Sequence, residues 1–267
     1  MEKDYKQNLI VNNMGKRGQV AIFVIIAVVV VAAIVLIFYF RGEGIVFFAP
    51  TELKPISFLK DCVEPEIMDT MDILSKNGGY IDPQGTVEYQ GEEIKYLCYS
   101  SEYYQPCVVQ QPLIKENYEN QLASVVLRKA EQCARNLVRE YESRGYDVDV
   151  GDIDTNITIV LDNVRVDFIA PMTVTKEETT RTFDGFEVEI PSKMYEILMI
   201  STSIIDFETT YGDSETSLYL DSYPDIKIEK TTLGDGTTIY VVSNVITEES
   251  FRFASRSLAW PPGYGID

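Results

Sequence analysis

The chain has 267 residues with 42 acidic against 23 basic side chains and no histidine, a formal charge of −19. The missing imidazole excludes a Ser-His-Asp triad, a Cys-His pair and the histidine-bearing zinc sites, and the acidic excess argues against nucleic acid as a partner. Beyond residue 41 the imbalance deepens, to 18 basic against 40 acidic residues and a formal charge of −22.

In chain order, residues 1–19 carry Lys3, Lys6, Lys16 and Arg17. From Val20 to Phe40 there follow 21 residues without a charge, which as a helix would extend about 31 Å, the thickness of a bilayer's hydrocarbon. This predicts a transmembrane helix. Downstream the nearby basic residues are only Arg41 and Lys54, so the positive-inside rule places the N-terminus in the cytoplasm and the rest outside it. The expected product is a single-pass protein of the cell membrane with the lipid bilayer as its partner. A cleavable secretory signal fits less well, because the run outlasts an ordinary h-region and ends in Arg41, Gly42 and Glu43 instead of small residues.

The junction Gly15, Lys16, Arg17, Gly18, Gln19, Val20, followed at once by the apolar run, resembles the class III signal sequence of archaeal type IV pilin-like proteins. That resemblance implies cleavage between Gly18 and Gln19. Phe23 would stand at the fifth mature position, where many pilin-type subunits carry Glu. The whole layout looks like that of archaeal membrane-anchored proteins with no assigned activity.

Residues 41–57, with Gly42, Gly44, Pro50 and Pro55, read as a juxtamembrane linker. Leu59, Val63, Ile67, Met71 and Leu74 then recur at helical spacing until Gly78 and Gly79. Thr86–Tyr89 and Glu93–Cys98 form a predicted hairpin. A long helix is predicted from about Pro112 to Ser143, striped by Tyr118, Leu122, Val125, Val126, Cys133, Leu137 and Tyr141. Residues 58–145 are thus a helical region with a small hairpin and loop.

From residue 146 the texture becomes alternating and rich in Val, Ile and Thr, in runs 146–150, 156–161, 165–176 and 181–190. Such runs predict antiparallel strands, the third with Pro171 at an edge or bulge. Pro191 and Ser192 open a helix to about Tyr211, and Asp235–Gly236 joins a last clear hairpin. The region 146–257 is therefore an antiparallel sheet with a packed helix, and 258–267 an irregular tail. The expected fold class is α+β, one N-terminal transmembrane helix preceding helices and sheet with two disulfides.

Cys62, Cys98, Cys107 and Cys133 are an even set with spacings of 35, 8 and 25 residues and no Cys-x-x-Cys. Disulfides are favoured over a four-thiolate zinc site or a redox pair. The favoured pairing is Cys98 with Cys107 across a short loop and Cys62 with Cys133 between helices. The loop inside the first pair, with Tyr99, Tyr103 and Tyr104, is the candidate partner-binding surface, since tyrosines held by a bridge offer area at low entropic cost.

Asp147, Asp149, Asp152 and Asp154, followed by Asn156, could supply oxygen ligands to calcium, although alternate acids also describe a solvated strand face. Asn156-Ile157-Thr158 matches the N-glycosylation acceptor. Glu187, Glu189, Glu196 and Glu208 are carboxylates in which a glycosidase-type pair could be sought. No cofactor is expected. The function read from the sequence is a membrane-anchored cell-envelope protein, structural or protein-binding, with other envelope proteins or further copies of itself as partners. The alternatives are a minor type IV pilin-like subunit and an extracytoplasmic carboxylate-based hydrolase.

Overall fold

The computed structural model describes residues 25–33 and 54–261. The chain divides into two compact units, Met1–Leu53 and Lys54–Asp267. In the first, residues 25–33 are helical with exposed side chains. Among the described residues no helix is long and apolar enough to cross a membrane. The expected single-pass helix, the lipid partner and the cytoplasm-to-exterior topology built on it are corrected by this finding. Residues 20–24 and 34–40 of the apolar run, most of the expected linker, the end of the tail and the Gly18–Gln19 junction lie outside the described residues.

The second unit is an α+β fold carrying two disulfides. It opens with α1 (Pro55–Lys76), β1 (Thr86–Tyr89), β2 (Glu92–Tyr99), β3 (Val108–Val109) and α2 (Ile114–Ser143). Then come β4 (Asp147–Val150), β5 (Asp154–Val160), β6 (Asn163–Lys176), β7 (Thr179–Pro191) and α3 (Met194–Tyr211). It closes with α4 (Ser217–Leu220), β8 (Ile226–Thr232), β9 (Thr237–Asn244) and β10 (Ser250–Arg256).

Helix α1 starts on Pro55, whose fixed φ suits the first helical position. It buries Leu59, Val63, Ile67, Met71 and Leu74, one stripe at intervals of three and four. Pro65 lies inside the helix on its solvent face, where a carbonyl left without its helical partner is open to solvent. Helix α2 answers with Tyr118, Leu122, Val126, Cys133, Leu137 and Tyr141. The Cys62–Cys133 disulfide bridges the two with Cα atoms 6.1 Å apart, and the Tyr118 hydroxyl donates to the Met71 carbonyl at 2.8 Å.

Two sheets flank the helices. The four-stranded sheet is built on β6: β7 pairs along its whole length, while β5 and β4 share its other edge. Gly185 sits where β6 and β7 shift register, and a Cβ there would lie 2.0 Å from the Phe168 carbonyl oxygen. The close approach requires glycine. The six-stranded sheet runs β1-β2-β10-β9-β8, with β3 also pairing β2. All its pairs are antiparallel except β2 with β10. Because β1 and β2 share this sheet with β8 to β10, residues 58–145 and 146–257 interleave in one unit. Helix α1 touches β10 of one sheet and β7 of the other, and α3 lies against β9 and β10.

Candidate functional site

A groove of about 360 Å³ is lined by Met68, Met71, Asp72, Ser75, Ile190, Pro191, Met194 and the stretch 247–250. Its first wall is one face of α1, since positions 68, 71, 72 and 75 fall at intervals of three and four. Ile190 and Pro191 end β7, and Met194 begins α3. The opposite wall is the β9–β10 turn. Met71 and Met194 are buried and form the floor, while Met68 stands half exposed at the rim. A separate apolar void of about 10 Å³ between Leu59, Ala134, Leu137, Met172 and Phe186 is at the lower limit for one water and offers it no polar partner.

The turn is held by side-chain capping. Asn244 Oδ1 accepts from the backbone N–H groups of Ile246 and Thr247 at 2.9 and 3.0 Å. The N–H of Glu248 reaches the Asn244 carbonyl at 2.9 Å, and Asn244 N–H reaches the Glu249 carbonyl at 2.9 Å. These bonds hold Glu248 at φ +62°, in the left-handed region that costs a side-chain-bearing residue about 1–2 kcal/mol.

The three carboxylates of the groove differ in their partners. Glu249 is occupied: its Oε1 accepts from Ser192 Oγ at 2.5 Å, and its Oε2 accepts from Lys193 N–H at 2.7 Å and Thr247 Oγ1 at 2.8 Å. It thereby satisfies the open N-terminus of α3, whose positive pole favours an anion. Asp72 pairs with Lys76 at 2.7 Å, both exposed. The exposed carboxylate of Glu248 has no partner among the described residues. No lysine or arginine lines the groove.

A second carboxylate centre lies elsewhere, near the end of α3. Glu208, on the last turns of α3, is only 2% exposed. Its Oε1 accepts from the Tyr240 hydroxyl at 2.5 Å and Ser214 N–H at 2.9 Å, and its Oε2 from Ser255 Oγ at 2.8 Å. Burial raises the Glu208 carboxyl above its ordinary value, opposed by these hydrogen bonds, and burial also raises the Tyr240 hydroxyl. Ser255 Oγ lies 3.6 Å from Cys107 Sγ, so this centre ties α3 to the six-stranded sheet beside the second disulfide.

The Cys98–Cys107 disulfide closes the loop between β2 and β3, with Cα atoms 5.4 Å apart. Inside it Tyr99, Tyr103 and Tyr104 are 38%, 41% and 50% exposed. The Tyr104 ring stands edge-on to Trp260 at 5.0 Å, and the Arg256 guanidinium lies 5.3 Å from the Tyr103 ring centre. Arg256 in turn donates to the Ser100 and Asp235 carbonyls, and Tyr104 N–H to the Ala259 carbonyl at 3.0 Å. The rings of Tyr103 and Tyr104 are therefore fixed by the segment 256–260, a contribution that the sequence does not advertise.

Asp147, Asp149, Asp152, Asp154 and Asn156 are all exposed, on β4, β5 and the loop between them. Among the described residues no group of three or more His, Cys, Asp or Glu side chains is placed to hold a metal. Asn156 faces out from β5 opposite Asp167. The hydrolase reading is corrected: Glu187 and Glu189 both lie beside the single Arg165, at 3.4 and 3.2 Å. Glu196 is three helical turns from Glu208, about 18 Å along α3, and Glu208 is sealed among donors. No two of these carboxylates oppose each other across a cleft.

No protein-family model matches the chain, and no curated protein and no solved structure matches it. The resemblance to pilin-type signals and to archaeal membrane-anchored proteins thus finds no relative to rest on. With no membrane-crossing helix among the described residues, the membrane-anchored envelope protein and pilin-like subunit readings, together with their envelope partners, are overturned with it.

Proposed function

We propose that the unit beginning at Lys54 is a binding domain whose ligand is a small organic molecule with an apolar body, seated in the groove between α1, the start of α3 and the β9–β10 turn. The observation that carries this reading is a cavity of about 360 Å³ floored by two buried methionines and rimmed by a third. Ligand sites are commonly concave, mainly apolar and supplied with few polar groups, and methionine adapts its shape and its polarizable sulfur to what enters.

The test is a titration of full-length protein carrying ¹³C-methyl methionine with 3,3-dimethyl-1-butanol, followed by NMR. The methyls of Met68, Met71 and Met194 shift in a saturable way while those of Met172 and Met199 stay put. For a ligand this small the expected dissociation constant is about 1 mM. Shifts spread evenly over all the methionines, or none at all, would sink the reading.

We also propose the stapled tyrosine loop as a second contact surface. It is supported by the fixed yet exposed rings of Tyr103, Tyr104 and Trp260, since a preordered aromatic surface loses little entropy on contact. Hydroxyl-radical footprinting checks it: these three rings are protected in native extract relative to purified protein, with Met68 unchanged. Equal labelling of the rings in both preparations removes the proposal.

A further inference from the structure

We infer that the ligand of the groove is a quaternary ammonium compound and that Glu248 is the residue that selects its charge; this rests on the groove being a ligand site. Three carboxylates and no basic residue line the cavity. Two of them are answered from within, Glu249 by Ser192, Lys193 and Thr247 and Asp72 by Lys76. Only Glu248 is left facing an unfilled demand for positive charge. The three-residue turn before it is fixed by Asn244, so the carboxylate is carried on an ordered support.

The methionine floor narrows the kind of cation. A metal ion needs several oxygen ligands converging on one point, and no such group exists among the described residues. A primary ammonium or a guanidinium would set part of its donors against the side chains of Met71, Met194 and Ile190, where a thioether is only a weak acceptor and an aliphatic chain is none. A quaternary ammonium has no N–H to satisfy and spreads its charge over methyl groups, which pack on thioether and aliphatic surface. The formal charge of −22 beyond residue 41 raises the local concentration of any cation and lowers that of anions.

Choline and 3,3-dimethyl-1-butanol are near-isosteres that differ in the charge, and they form the test. Both are titrated into full-length protein at low ionic strength and followed through the methionine methyls. Choline binds about fivefold more tightly than the neutral alcohol, the preference expected of one ion pair at contact distance in a wet site. In Glu248→Gln, whose melting temperature matches the parent because the side chain is exposed, the two bind within about twofold of each other. If choline and the alcohol bind the parent equally, the charge inference fails while the groove reading stands. If neither binds, both fail. If Glu248→Gln keeps the fivefold preference, Glu248 is not the selector.

Discussion

Glu208 and Glu248 are both glutamates close to the edge of a secondary-structure element, and the structure treats them in opposite ways. Glu208 is buried and accepts three hydrogen bonds from two strands and a loop. Glu248 is exposed at the groove, without a partner among the described residues, on a backbone conformation that glycine would adopt more cheaply. A buried carboxylate whose acceptor sites are filled acts as a fastener, whatever its shifted titration suggests. An unanswered carboxylate on a rigid support at a cavity mouth is free to meet something that comes from outside.

The largest effect is expected from breaking the fastener. Glu208→Ala strands the Tyr240 hydroxyl, the Ser255 hydroxyl and the Ser214 N–H without acceptors in a buried place, and costs on the order of 4 kcal/mol. Glu208→Gln keeps the shape and part of the acceptor set, and costs about 1–2 kcal/mol. Urea unfolding with disulfides intact measures both. Neither change alters choline binding at the groove, and a loss there would erase the distinction between the two centres.

Removing the bridge beside the fastener comes next. Cys98→Ser with Cys107→Ser opens a loop closed over a sequence separation of 9, and chain entropy puts the loss at about 3 kcal/mol. The longer closure from Cys62 to Cys133, separation 71, is worth more by the same argument, about 4 kcal/mol. Only the first pair also loosens Tyr103 and Tyr104, so acrylamide quenching of Trp260, the sole tryptophan, rises for that variant alone.

Much of the frame could be read from the sequence because it is written in local periodicity. The stripe Leu59, Val63, Ile67, Met71 and Leu74 is the face that α1 buries, and the Asp235–Gly236 turn joins β8 to β9. The parallel pairing of β2 with β10 was not legible, because it joins residues such as Tyr96 and Ala254, far apart in the chain, with no local signature. The groove was invisible for the same reason. Its lining comes from three distant stretches, and each is ordinary alone: a helix face, a strand end and a turn. The apolar run from Val20 to Phe40 misled in the other direction. Hydropathy reports what a segment would do as one continuous helix, and among the described residues no helix is long and apolar enough to cross a membrane.

Acidity separates the two glutamates by a smaller margin. The folded state binds the Glu208 proton more tightly than the unfolded chain does, because burial raises the carboxyl above its ordinary value of 4.5. Stability from this group is therefore fully present below that value and is lost as pH rises through the raised one, the reverse of a salt-bridged carboxylate. In pH-dependent unfolding, the Glu208→Gln variant shows a shallower decline than the parent across the window just above 4.5. Parallel curves would mean that Glu208 titrates alike in both states.

The smallest effect separates stability from binding by sign. Glu248→Gly relieves a left-handed backbone at φ +62° and removes a side chain without partners, so the folded state gains about 0.5–1 kcal/mol after the added freedom of the unfolded glycine is subtracted. The same change removes the only unpaired carboxylate of the groove, and the preference for choline over its neutral isostere disappears. A residue kept for the fold should not make the fold better when it is lost. A variant that melts lower than the parent would show that Glu248 holds the turn together, and the contrast with Glu208 would then collapse into two fasteners of different strength.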